Sequence, residues 1–205
     1  ERRFKIVKPS SKPASVMIGF HVPEAMHEDS YALSALGRVL GGSRQRASRL
    51  YKALIETRLA VSCGAGSSDM LDPGLFIMNA TCAPGVKPEV VEAVLLKVMA
   101  SMATDLVSDE ELNRCKQANR KGTALGSDNQ MALLGQLCHA EVVGTWKEYI
   151  DYDNKFDAVT PQMVRDVAAR YFSENNRTVG TFVPQAAPTA PTGQVRDLTA
   201  VPQAD

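Results

Sequence analysis

Three histidines (His21, His27, His139) and four cysteines (Cys63, Cys82, Cys115, Cys138) are the residues of this 205-residue chain best suited to hold a metal. A hydrolytic zinc site needs three neutral or anionic ligands, one position open for water, and a carboxylate nearby as base. His21 and His27 stand six apart across Pro23 and a loop, too far for one helical turn, and His139-Ala140-Glu141 has no second histidine on its face. Each histidine reads as an ordinary surface or strand residue. No Cys-x-x-Cys pair occurs, which excludes the usual structural zinc spacings, and the cysteines read as small buried hydrophobes. No Gly-x-Ser-x-Gly elbow sets up a nucleophilic serine. Gly41-Gly42-Ser43 has no Gly-Lys-Ser/Thr after it and no strand before it, so it reads as a helix C-cap and turn, not a phosphate loop.

The totals describe a globular protein able to bury a core, with 44% apolar and 22% charged residues. Positive and negative charges cancel, 23 against 23, so no global charge points to nucleic acid or an anionic membrane. The basic cluster Arg2, Arg3, Lys5, Lys8 and Lys12 lacks interleaved aromatics and reads as a solvated face. No apolar run reaches membrane-span length. The expectation is a soluble protein, with periplasm and cytoplasm left open. A chain opening on Glu-Arg-Arg reads as a segment of something longer.

Periodicity supplies the elements. Residues 1–14 read as an incoming segment with one short strand, Phe4–Val7. Ser15–Val22 alternates as a half-buried strand closed by Pro23. Asp29 or Ser30 can cap a helix whose face is Ala32, Leu33, Leu36, Val39 and Leu40, and Gly41-Gly42 ends it. Ser48 can cap the next helix, carrying Leu50, Tyr51, Leu54 and Ile55, before Leu59-Ala60-Val61-Ser62 turns into a strand. Ala60–Ser67 and Gly74–Cys82 are strands joined through Asp72-Pro73-Gly74. Helices follow from Pro88, from the capping box Ser108-Asp109-Glu110-Glu111, over 129–144, after Trp146 and after Thr160-Pro161. Thr178–Val183 returns as a strand, and from Pro184 the composition becomes that of a Pro/Ala/Thr/Gln-rich linker. Strands joined by a short turn and helices in runs give an α+β fold.

The stretch Leu40-Gly41-Gly42 through Ser48-Arg49-Leu50-Tyr51-Lys52-Ala53-Leu54 to Leu59-Ala60-Val61-Ser62 resembles a segment of the insulinase-like (pitrilysin) zinc peptidases. In that family a glycine-rich loop precedes Ser-Arg-Leu-Tyr/Phe-x-x-Leu and then Gly-Leu-Ala-Tyr-Ser. The resemblance runs from about Val16 to Pro184. It implies an antiparallel sheet with helices packed on one face, as in insulinase-like and mitochondrial-processing-peptidase-like metallohydrolase domains. The domain would occupy 15–184, with the incoming segment over 1–14 and an interdomain linker over 185–205.

Active members hold zinc with His-x-x-Glu-His and a distant glutamate. This chain lacks that motif, so the resemblance implies a non-catalytic domain with no zinc of its own, the zinc being expected in the active domain of a parent metalloendopeptidase. In some such domains an arginine and a tyrosine of Leu-Arg-x-x-x-x-Gly-Leu-Ala-Tyr reach the partner's zinc site to hold substrate and stabilise the oxyanion. Those positions here are Ile55 and Val61, expected to serve packing, and the glycine before Leu59 is missing. Arg49, Tyr51 and Arg58 are the nearby substrate-contact candidates. The reading is a structural and substrate-enclosing domain, the second of a long endopeptidase. Its partners would be the catalytic domain of the same or a partner chain and peptide substrates, with no nucleic acid and no membrane. The alternative is an assembly or scaffold domain, or inactive partner subunit, without a proteolytic role.

Overall fold

The computed structural model describes residues 1–185. The linker expected from 185 onward lies outside the described residues, apart from Gln185 itself. Five strands form one sheet: β1 (Arg2–Pro9), β2 (Ser15–Val22), β3 (Ala60–Ser67), β4 (Gly74–Cys82) and β5 (Arg177–Gln185), in the order β1-β5-β2-β4-β3. Alternation along β2 buries Val16, Ile18, Phe20 and Val22 and leaves Met17 and His21 exposed. Phe76, Met78, Ala80 and Cys82 of β4 join them on the inner face. The α+β class and the helix-covered face are as expected. β5, β2, β4 and β3 pair antiparallel, whereas the outer pair β1·β5 is parallel, so the sheet is mixed. β1 belongs to this sheet and is longer than the short strand expected.

Three helices cover the inner face: α1 (Ser30–Leu40), α2 (Pro88–Thr104) and α6 (Pro161–Tyr171). Phe172, just past α6, packs its ring at a tilt 4.7 Å from Phe20 and 5.0 Å from Phe76, closing the core against the sheet. Asp29 precedes α1 but makes no cap bond there. Its carboxylate accepts from Arg170 and from the Tyr171 hydroxyl, tying the start of α1 to the end of α6.

An outer layer of α3 (Asp109–Ser127), α4 (Gln130–Val143) and α5 (Trp146–Asp157) packs on α1 instead of the sheet. The expected capping box starts α3: the Ser108 hydroxyl accepts from Glu111 N–H, and the Glu111 carboxylate accepts from Ser108 N–H. Buried Asn119 links the layers, accepting from Arg38 of α1 at 2.9 Å and donating to Asp153 of α5 at 2.7 Å. α4 is apolar on most sides yet exposes Met131, Leu134 and Val142. Cys63, Cys82 and Cys115 are buried as expected. Cys138 is exposed, a correction that follows from its place on the outward side of α4.

Candidate functional site

The segment between α1 and β3 is fixed by close backbone packing. Gly41 takes a positive φ of 65°, and a Cβ there would sit 2.3 Å from the Ser48 Cβ. At Gly42 a Cβ would meet the Cys63 carbonyl oxygen at 2.9 Å. This contact sets Ser43 against the outer edge of β3. Ser43 N–H donates to Cys63 O at 3.1 Å, the Ser43 hydroxyl donates to the same oxygen at 3.0 Å, and Cys63 N–H donates to the Ser43 Oγ at 2.8 Å. One serine thus pairs β3 at Cys63 in place of a neighbouring strand.

Beyond Cys63 that edge is open. β3 bonds β4 on one side and has no strand on the other among the described residues. Residues 64–67 line a groove of about 510 Å³ whose other wall is Gly37, Arg38 and the Gly41–Gln45 loop. Strand alternation turns the main-chain N–H and C=O of Ala65 the same way as those of Cys63, toward this groove. Asp69, in the β3–β4 turn, stands at its end. Asp69 is exposed at the surface, but desolvation by neighbouring protein atoms raises its carboxyl above the usual range, opposed by the charges of His139 and Arg38. The groove can receive an extended peptide by its main chain.

The three candidate contacts lie apart. Arg49 forms a bidentate pair with Glu111, both bonds 3.0 Å, and also points a nitrogen at the Met102 sulfur. The guanidinium holds the Glu111 carboxyl at about 2, below its ordinary 4.5. Tyr51, half-buried, begins a π-helical turn (Tyr51–Ile55) in which Glu56 N–H reaches back to Tyr51 O. The Ser48 Oγ accepts from Tyr51 N–H, as the sequence suggested. Arg58 is exposed and holds a φ of 59°, the one positive φ of a non-glycine residue among those described. Ile55 packs partly against the core, as expected. Val61 does not: it is 56% exposed, because the register of β3 shifts between Ala60 and Ser62 and turns it outward.

The histidines remain separate. His21 on the open sheet face meets the Asn176 Oδ1, His27 accepts from Asp29 N–H, and His139 lines a cleft between helices. Among the described residues no group of three His, Cys, Asp or Glu side chains could hold a metal, so this set does not fit a zinc site. No helix among them is long and apolar enough to cross a membrane.

The profile of the peptidase M16 inactive domain matches residues 1–119. The chain belongs to the peptidase M16 inactive-domain family. A zinc protease of Mycobacterium leprae, itself uncharacterized, is 29% identical over 163 residues, covering 78% of this chain and 36% of its own. This M16 domain therefore spans about a third of that relative's length. Its fold matches a protease from Helicobacter pylori at a TM-score of 0.83, with 21% identity, covering 89% of this chain and 44% of that one. An inactive peptidase domain from Bordetella parapertussis matches at 0.79, with 24% identity, over 90% of this chain and 98% of that one. The resemblance to the insulinase-like zinc peptidases holds.

In this M16 domain the groove escaped sequence reasoning. The signal was present as Gly64 and Gly66 within β3, since glycine inside a strand marks close backbone approach. Gly37 on α1 answers it, its Cβ position lying 3.2 Å from the Gly66 Cα.

Proposed function

We propose that this domain encloses and holds peptide substrates for a zinc-bearing domain outside the chain, without chemistry of its own. The single observation that carries the proposal is the open edge of β3 beside the Gly41–Gln45 loop. An extended peptide laid there gains main-chain hydrogen bonds independent of its sequence, as a general peptidase requires. In this reading Tyr51 and Arg58 stay candidate substrate contacts outside the groove, Tyr51 half-buried and Arg58 exposed. Arg49 braces that segment through Glu111. The uncovered sheet face, with Phe4, Met17 and Leu75 exposed, supplies an apolar wall for the enclosure. Zinc and hydrolysis belong in this reading to the neighbouring catalytic domain.

The test is binding of a fluorescein-labelled peptide of alternating Thr and Val, followed by anisotropy. Ala65→Pro removes the outward N–H while leaving the β4 ladder intact. The proposal expects its affinity to fall roughly tenfold or more with the melting temperature little changed. Unaltered binding in the folded variant contradicts the proposal.

A further inference from the structure

The groove along β3 does not stop at the sheet. At Ser34, Arg38 and Asp69 it opens into a second cleft of about 550 Å³, between α1, α3, α4 and α5. Tyr31, Tyr149 and Tyr152 line this cleft, and Tyr31 and Tyr152 hold a tilted pair with centroids 5.5 Å apart. Gly122 of α3 and Gly135 of α4 line it and border open space, since a Cβ at either would meet nothing within 4 Å. The Tyr149 hydroxyl is buried with no hydrogen-bond partner among the described residues. An orphaned buried polar atom is destabilising, so a ligand that reaches it gains by doing so.

We infer that this cleft receives one side chain of the peptide held along β3, and that the side chain is a tyrosine or tryptophan. The inference rests on the β3-edge reading above. Aromatic rings pair favourably with tyrosine walls, and their O–H or N–H can satisfy the Tyr149 hydroxyl. An aliphatic side chain would leave that hydroxyl unmet. A lysine or arginine would meet Arg38 on the wall, while the carboxylates that could offset it are engaged. Glu148 accepts from Tyr31 and Lys155, and Asp153 accepts from Asn119 and Thr123. Among the described residues Asp69 at the mouth makes no hydrogen bond, and His139 and Arg38 already act on it. An acidic side chain would have to compete with Asp69 for Arg38 and His139, which already act on it.

The experiment compares Thr/Val peptides carrying Trp, Tyr, Leu, Lys or Ala at one central position, bound to the wild-type chain and to Gly135→Leu. That substitution fills the cleft and improves helix propensity in α4, so folding is preserved. The Trp and Tyr peptides are expected to bind roughly tenfold tighter than the Ala peptide, with Leu and Lys near Ala. In Gly135→Leu the aromatic peptides should fall to the Ala level while the Ala peptide is unchanged. Equal binding of Trp and Ala peptides, both abolished by Ala65→Pro, overturns the cleft inference and leaves the edge reading standing. If no peptide binds, N-acetyl-tryptophanamide alone is followed by NMR at His139 and Tyr149. Shifts lost in Gly135→Leu uphold the aromatic pocket and remove the edge reading, and no shift overturns both.

Discussion

Arg58 occupies a backbone conformation that suits glycine better than any other residue. Its φ of 59° lies in the left-handed region, where a Cβ costs about 1–2 kcal/mol. Arg58→Gly removes that cost but loses more chain entropy on folding, so a net gain of about 0.5–1 kcal/mol is expected in urea titration. No gain would mean that the arginine side chain offsets its own strain through contacts. Ile55→Ala should cost about 1–2 kcal/mol, below the range for fully buried aliphatics because Ile55 only flanks the core. Val61→Ala should be near neutral by the same measurement, given its exposure. Periodicity read Ile55 and the core of β2 correctly because helical and strand spacing fix which side faces inward. It misread Val61, since a bulge breaks alternation without any mark in residue type.

Among the elements, α3 and the segment from Arg49 are joined by an ion pair that titrates. The Glu111 carboxyl is depressed to about 2 in the folded chain, mainly by the Arg49 hydrogen bonds. A depressed carboxylate stabilises the fold above its unfolded pKa and loses that contribution as pH falls through the folded one. Glu111→Gln should therefore be less stable than wild type near neutral pH. The difference should close between about pH 4.5 and 2, the window set by the ordinary and folded values. Thermal melts across that window check it, and a difference independent of pH would assign the loss to the capping box instead. Element boundaries were largely legible: β2 spans the residues its alternation marked, and β3 and β4 those bounded by turn signals. The parallel pairing of β1 with β5 was not legible, because it joins the two ends of the described chain and local pattern carries no partner information. The β3 edge and the helical cleft were hidden for the same reason, being products of packing between distant segments.

For the whole molecule, the absence of a fitting ligand set among the described residues leads to a simple expectation. The chain alone should retain no stoichiometric zinc after dialysis and should cleave no quenched peptide. Bound zinc with chelator-sensitive cleavage would contradict this. The family is shown by the profile over residues 1–119, while the role of the domain beside a catalytic neighbour is our proposal. That role calls for an interface, and same-chain neighbours typically cover about 600–1,500 Å². A neighbour bound only in its folded state is stabilised by mass action, without added chemistry. The most direct measurement is peptide hydrolysis by the zinc-bearing domain of the parent protease, expressed without this segment, across a titration of the 205-residue chain. Weak activity that rises saturably, in proportion to the complex recovered by co-purification, is the predicted result. A zinc-bearing domain fully active alone and indifferent to the added chain would contradict it.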